Sequence, residues 1–107
     1  VERSEQKKMI FISSATASNA EGTYPVFAYC SSKAALNKCV TMAAMALRDR
    51  GIIAAALCPG HVRTELGGAG AVLEPAESIS ALRRVIARLQ LSDSGSFTRY
   101  NGETVPW

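Results

Sequence analysis

The stretch IIAAALCPG, residues 52–60, decides the fold of this chain of 107 residues. Its first seven residues are all apolar, and Pro59 and Gly60 end the run. A continuous apolar run of about four to eight residues, bounded by turn residues, is typical of a strand buried on both faces, as in a parallel sheet. The stretch therefore predicts a buried parallel strand with a turn at its carboxyl end.

Helical segments are predicted on either side of this strand. Residues 29–50 are rich in Ala, Leu, Met and Lys, and Gly51 follows them as a natural helix stop. Residues 75–91 begin with Pro75, which suits the first turn of a helix. Their apolar residues recur at helical spacing, which predicts one buried stripe made of Ile79, Leu82, Val85, Ile86 and Leu89.

Two further strands are predicted at the ends of the chain. Residues 9–12 form a short apolar run, and residues 96–100 alternate in polarity before an Asn-Gly turn at 101–102. Residues 15–28 are small and polar and are predicted to be a loop. The order strand, helix, strand, helix, strand predicts an α/β fold with right-handed crossovers and a parallel sheet.

Three parallel strands are too few for a complete doubly wound domain, and the first strand would leave an apolar edge open. The chain also begins with Val rather than Met. We therefore expect residues 1–107 to be a fragment, the second half of one α/β domain.

The composition limits the classes of function. The apolar fraction of 48% and charged fraction of 20% are ordinary for a globular protein. No signal peptide or membrane-spanning run is visible, and a net charge of +3 without a basic, aromatic-rich patch gives no indication of nucleic-acid or membrane binding. The sequence has an odd number of cysteines, Cys30, Cys39 and Cys58, and their spacing does not match that of metal ligands. We therefore expect reduced thiols, no metal site and a cytoplasmic protein.

The residues that could carry chemistry converge on one edge of the predicted sheet. Ligands bind beyond the carboxyl ends of the strands in open parallel sheets, and Ser14 follows the first strand. Tyr29 and Lys33 are four residues apart, on one face of the helix start. A phenol holds its proton at neutral pH, and a nearby ammonium stabilises the phenolate. A serine hydroxyl could hold a carbonyl against this pair, which would suit proton transfer during carbonyl reduction.

Each of these features alone has a common structural explanation. A Tyr–Lys pair occurs by chance on many helices, a serine at a strand end usually caps a helix, and Pro-Gly is usually a turn. His61 is the single histidine and is interpreted as a substrate-loop or surface residue, not as a base or metal ligand. The conjunction of the features, in the right order and on the right elements, favours catalysis.

The motifs ISS (residues 12–14), YCSSKAALN (29–37) and CPGHVRTEL (58–66) together resemble the carboxyl-terminal half of a short-chain dehydrogenase/reductase. The segments LGGAGA and PAESI and the ending YNGETVPW are similar to the C-factor/Sniffer-like carbonyl reductases within that family. The resemblance implies a Rossmann-type doubly wound parallel sheet that binds NAD(P). The Gly-rich dinucleotide-binding half is missing from the sequence. NADP(H) is the preferred cofactor by this resemblance, and NAD(H) is possible.

The resemblance also implies a role for each matching position. Tyr29 would be the catalytic acid/base, and Lys33 would promote its ionisation and hold the nicotinamide ribose. Ser14 would orient the substrate carbonyl, with Ser13 ranked second. The spacing of fifteen residues from Ser14 to Tyr29 is slightly longer than is common in the family, with the extra residues in the loop between them.

The loop after the second strand would complete the site. Residues 65–73 would form a mobile lid over the substrate, and His61 and Leu66 would contact it. The residues facing the nicotinamide would be Pro59, Gly60, Val62 and Thr64.

The sequence is thus expected to belong to an NAD(P)H-dependent oxidoreductase that interconverts a small-molecule carbonyl and an alcohol, with the fragment alone inactive. One alternative is a truncated or non-catalytic Rossmann-like binding or regulatory module. A second alternative is an epimerase or dehydratase of the extended type, and the short carboxyl end of the chain argues against it. A homo-oligomer is possible, because the small-residue helix segment 34–47 could pack against a second copy, although it could equally be core.

Overall fold

The computed structural model describes residues 1–21 and 26–107, and these contain a three-stranded parallel sheet in the order β1-β2-β3. The strands are β1 (Lys8–Ile12), β2 (Ile53–Cys58) and β3 (Phe97–Arg99). The helices are α1 (Phe27–Leu47) and α2 (Pro75–Arg88). This arrangement confirms the predicted α/β class and parallel sheet.

The predicted boundaries of the strands and helices lie within three residues of the observed ones. Helix α1 begins two residues earlier than predicted, and its last predicted residues form a 3₁₀ turn, Arg48–Arg50. Gly51 ends this turn in the left-handed region at φ 70°, which glycine adopts without strain. The predicted loop 15–28 contains a 3₁₀ turn, Ala15–Ala17, and its residues 22–25 lie outside the described residues.

Strand β2 lies in the centre of the sheet and is buried along its whole length. On one face of the sheet, Ala56 packs in a cluster with Val40 of α1. On the other face, Leu57 packs with Leu82 and Val85 of α2. Because neighbouring residues of a strand point to opposite faces, the two helices cover opposite sides of the sheet.

The placement of the helices corrects the predicted handedness. The strands follow one another in one direction across the sheet, yet α1 and α2 lie on opposite faces. Two such crossovers have opposite hands, so the prediction of right-handed connections is wrong for one of them. The preference for right-handed connections is statistical. The long segment 59–74 gives the chain enough length to reach the second face before α2 begins.

Parts of β1 and of α1 are exposed to solvent. Strand β1 was predicted to be buried, but it is only partly covered and Ile12 is 48% exposed, since among the described residues only β2 pairs with it. On α1, Val40 and Ala44 are buried, whereas Met42 and Met45 are exposed. The segment 34–47 therefore contributes one face to the core and leaves a second apolar face open.

The predicted stripe of α2 needs one correction. Leu82, Val85 and Leu89 are buried as expected, but Ile79 is exposed. The line of residues that faces the sheet begins at Ser78 instead, at helical spacing before Leu82. No helix in the described part of the chain is both long and apolar enough to cross a membrane.

Candidate active site

Ser13 and Ser14 follow the carboxyl end of β1, and their side chains have different surroundings. The Ser13 N–H donates to the Leu57 carbonyl at 2.8 Å, and its buried Oγ donates to Asn37 Oδ1 at 2.6 Å. Ser14 is half-buried and caps the 3₁₀ turn, with its Oγ accepting from the Thr16 N–H at 3.2 Å. The hydroxyl of Ser13 is thus committed inside the protein, which favours Ser14 as the substrate-facing serine.

Tyr29 and Lys33 lie in the first two turns of α1, beside the end of β1. Lys33 Nζ donates to the carbonyl oxygen of Ile12 at 3.1 Å and lies 5.9 Å from the centre of the Tyr29 ring. The Tyr29 side chain is partly exposed, at the surface of this edge. Lys33 therefore contacts both the Tyr29 ring and β1, the strand that ends at Ser13 and Ser14.

Ser14 and Tyr29 do not hydrogen-bond to each other in the described part of the chain. Ser14 Oγ instead lies 2.9 Å from Thr16 Oγ1. Both hydroxyls would have to turn toward a common atom to act together on a substrate. The side chains that would do chemistry are brought to one edge of the sheet, and their final alignment would require the substrate.

The end of β2 forms a tight turn at Pro59 and Gly60. The Pro59 carbonyl accepts from the buried Ser78 hydroxyl at 2.7 Å, which fixes this turn to α2. Gly60 has φ 83°, and a Cβ atom there would lie 2.5 Å from Leu73 Cδ1 and 2.8 Å from Tyr100 Cε1. Glycine is favoured here by its positive φ and by the side chains of Leu73 and Tyr100, which occupy the space that a Cβ atom would take.

Val62 lies where the chain pairs with Leu73 in a short parallel bridge. The bridge uses the Arg63 N–H, which donates to the Leu73 carbonyl at 2.7 Å, and the Leu73 N–H, which donates to the His61 carbonyl at 3.2 Å. The Val62 amide takes no part in these bonds, so it could serve a ligand. The pairing also anchors the carboxyl end of the predicted 65–73 lid at Leu73.

Thr64, His61 and Leu66 are exposed in the same loop. Thr64 Oγ1 accepts from the Gly67 N–H at 3.1 Å, and His61 Nε2 lies 2.7 Å from the Gly67 carbonyl oxygen. The hydroxyl and the imidazole therefore hold the loop in this structure. Leu66 is 86% exposed and is the apolar side chain at the loop tip.

Sequence reasoning missed Asn37. It is 3% exposed and bonds to Ser13, although an asparagine in an Ala-rich helix usually indicates a solvent-facing position. The signal that could have found it is its spacing, because Tyr29, Lys33 and Asn37 follow each other at intervals of four residues along one helix face.

Comparison with known proteins settles the family. Residues 2–94 match the family model described as Enoyl-(Acyl carrier protein) reductase. The chain belongs to the short-chain dehydrogenase/reductase family. It is 41% identical over 91 residues to the C-signal protein of Myxococcus xanthus, which covers 85% of this chain and 54% of that protein. It is 35% identical to an uncharacterized oxidoreductase of Saccharomyces cerevisiae, covering 90% of this chain and 43% of that protein.

Solved structures of the same family share the fold. Carbonyl reductase Sniffer of D. melanogaster aligns with a TM-score of 0.90 and 31% identity, over 94% of this chain and 41% of that one. An NADPH-bound carbonyl reductase from chicken fatty liver aligns with a TM-score of 0.81 and 33% identity, over 94% of this chain and 42% of that one. The chain thus corresponds to the Rossmann-type fold of these short-chain dehydrogenases/reductases, and it spans about half the length of the curated relatives it matches.

Proposed function

We propose that the full-length protein is an NADPH-dependent carbonyl reductase that interconverts a small carbonyl compound and its alcohol. The observation that carries the proposal is the position of Lys33 Nζ, bonded to the end of β1 and 5.9 Å from the centre of the Tyr29 ring. This position links the proton-transfer pair of α1 to the strand that ends at Ser14. NADPH is preferred over NADH because an NADPH-bound carbonyl reductase is among the similar structures.

Tyr29 would exchange the proton with the substrate oxygen. Its hydroxyl would donate to the carbonyl oxygen during reduction and would accept the alcohol proton in the reverse direction. The Lys33 ammonium would stabilise the phenolate by its charge. Ser14 would donate a hydrogen bond to the same substrate oxygen, after its hydroxyl leaves Thr16, and would hold the carbonyl in place.

The residues present fit a nicotinamide cofactor, on three features of the described structure. Lysine has three N–H donors, and only one is needed for the Ile12 carbonyl, so Lys33 can also hold ribose hydroxyls. The Pro59–Gly60 turn follows the carboxyl end of β2, the edge where ligands bind in open parallel sheets. The Val62 amide takes no part in the bridge to Leu73 and could donate to a carboxamide, and the Thr64 hydroxyl could bond the same group after it leaves Gly67. When bound, NADPH would supply the hydride for the carbonyl carbon. His61 and Leu66 would contact the substrate from the neighbouring loop.

Replacement of Tyr29 by phenylalanine tests the proposed acid/base. In the full-length protein, we expect Tyr29→Phe to lower kcat for NADPH oxidation with a small aldehyde or ketone by about 10²–10⁴-fold, because the proton donor is removed and the ring is kept. The loss of NADPH absorbance measures the rate. Tyr100→Phe is the matched control, since the ring of Tyr100 packs beside Gly60 and its hydroxyl has no proposed role.

Two results would contradict the proposal in different ways. Undiminished turnover by Tyr29→Phe would overturn the acid/base assignment while leaving the enzyme class intact. Full-length wild-type protein that binds NADPH but turns over no carbonyl compound would favour the alternative of a non-catalytic binding or regulatory module.

A further inference from the structure

Three polar residues of α1 form a stripe that runs from the surface into the core. Tyr29, Lys33 and Asn37 are spaced by four residues, so they lie one above another on the helix. Tyr29 is exposed, Lys33 is half-buried and Asn37 is buried. The stripe faces the end of β1, because Lys33 bonds to Ile12 and Asn37 bonds to Ser13.

The contact of Asn37 with Ser13 ties the helix to the residue before Ser14. Ser13 Oγ donates to Asn37 Oδ1 at 2.6 Å, and both residues are 3% exposed. The Ser13 N–H is also held by the Leu57 carbonyl at 2.8 Å. Ser13 is therefore fixed on both its backbone and its side chain, and the direction in which the chain leaves toward Ser14 is fixed with it.

Asn37 interrupts the apolar residues on the buried face of α1. Its neighbours on the buried face, Val40 and Ala44, are apolar. Asn37 Nδ2 is buried and has no hydrogen-bond partner among the residues that the structure describes, and Asn37 lines a cavity of about 310 Å³. The polar side chain therefore lies beside apolar neighbours, and its bond to Ser13 joins α1 to the end of β1.

We propose that Asn37 is a positioning residue, which acts through Ser13 to hold Ser14 in register with Tyr29. This proposal rests on the proposed carbonyl reductase function. The same helix then carries the proton-transfer pair and sets the position of the serine opposite it. Loss of the contact would let the segment after β1 shift relative to Tyr29 without removing any group that touches the substrate.

A double-mutant cycle on the full-length protein tests the proposal. We expect Ser13→Ala and Asn37→Ala each to lower kcat for carbonyl reduction by between about 10- and 100-fold, because a small displacement of a reacting group is that costly. The double variant should lose no more than the worse single variant, since both remove the same contact. The dissociation constant for NADPH should stay unchanged. Thr41→Ala is the matched control, because the Thr41 hydroxyl donates to the Lys38 carbonyl within α1.

Each outcome decides the proposal. If Asn37→Ala fails to fold, Ser13→Ala is the smaller change and decides alone. A folded Ser13→Ala protein with kcat within a factor of about two of wild type would overturn the positioning role, and so would losses that multiply in the double variant. A parallel loss of NADPH affinity would indicate general damage and would also reject it. Failure of the proposed function is distinguishable, because the wild-type protein itself would then show no turnover.

Discussion

Lys33 has two partners in the structure, and each explains part of the site. Its Nζ donates to the Ile12 carbonyl, a group at the edge of the sheet, and lies over the ring of Tyr29. The first contact fixes where the charge lies, and the second places the charge beside the phenol. A methionine would keep the length of the side chain and lose both contacts. Lys33 is therefore proposed to serve as anchor and as electrostatic partner at once.

Gly60 combines a positive φ with close packing by neighbouring side chains. We expect Gly60→Ala to destabilise the full-length protein by about 1–2 kcal/mol from its positive φ and by about a further 1–3 kcal/mol from the clash with Leu73 and Tyr100. Gly68→Ala is the matched control, because Gly68 has φ 77° with open space around it and should show the first cost alone. Free energies of unfolding from denaturant titration measure the difference. Equal losses in the two variants would contradict the close packing at Gly60.

At the residue scale, part of the site could be predicted from sequence. The placement of Tyr29 beside Lys33 could be predicted because their spacing has a direct geometric meaning on a helix, and their catalytic roles stay a prediction. Ser14 could be ranked above Ser13 only by resemblance, and the structure adds a physical reason, the burial of the Ser13 hydroxyl against Asn37. Asn37 itself was not found, because burial of a polar residue depends on a partner distant in sequence.

At the scale of elements, β2 is the strand on which the fold depends. We expect Leu57→Ala to lower the free energy of unfolding by about 2–5 kcal/mol, because the Leu57 side chain of β2 is fully buried against α2. Leu66→Ala is the matched control, with the same change at an exposed loop position and an expected loss below about 0.5 kcal/mol. Thermal or denaturant unfolding of the full-length protein provides the measurement. A similar loss in both variants would contradict the central position of β2.

The element order was predictable because β1 and β2 are short apolar runs, the segment of β3 alternates in polarity, and each helix has a stop or start residue. The face that each helix covers was not predictable. Helix α1 is apolar on most sides, so its composition does not show which face is buried, and handedness is a property of the path between elements. The opposite faces of α1 and α2 came only from the packing of Ala56 and Leu57.

The carboxyl-terminal segment shows a second feature that periodicity could not reveal. The Asn19 N–H donates to the Trp107 carbonyl at 2.6 Å, and the Ser18 hydroxyl donates to the Pro106 carbonyl. The Trp107 ring lies 5.3 Å from the ring of Phe97, between centres. The segment therefore holds the start of the loop that leads from Ser14 toward Tyr29. Such contacts join residues far apart in sequence and leave no local pattern.

At the scale of the whole molecule, the chain matches relatives that are about twice its length. It covers 41% of the Sniffer structure and 54% of the C-signal protein. Strand β1 has a free edge in the described residues, and Met42 and Met45 of α1 are exposed. We propose that residues outside this chain complete the cofactor site of the full-length protein. The substrate chemistry would still depend on Ser14, Tyr29 and Lys33 of this chain.

Transfer of deuterium from labelled NADPH tests the central claim most directly. The full-length protein would be incubated with NADPH deuterated at the reactive carbon of the nicotinamide and with an unsaturated aldehyde, which offers both a C=O and a C=C bond. A carbonyl reductase with Tyr29 as acid should place deuterium on the carbinol carbon of an unsaturated alcohol, and Tyr29→Phe should suppress this product. Deuterium on a saturated carbon of the aldehyde would show reduction of the C=C bond instead, and either that result or the absence of transfer would contradict the proposed carbonyl reductase.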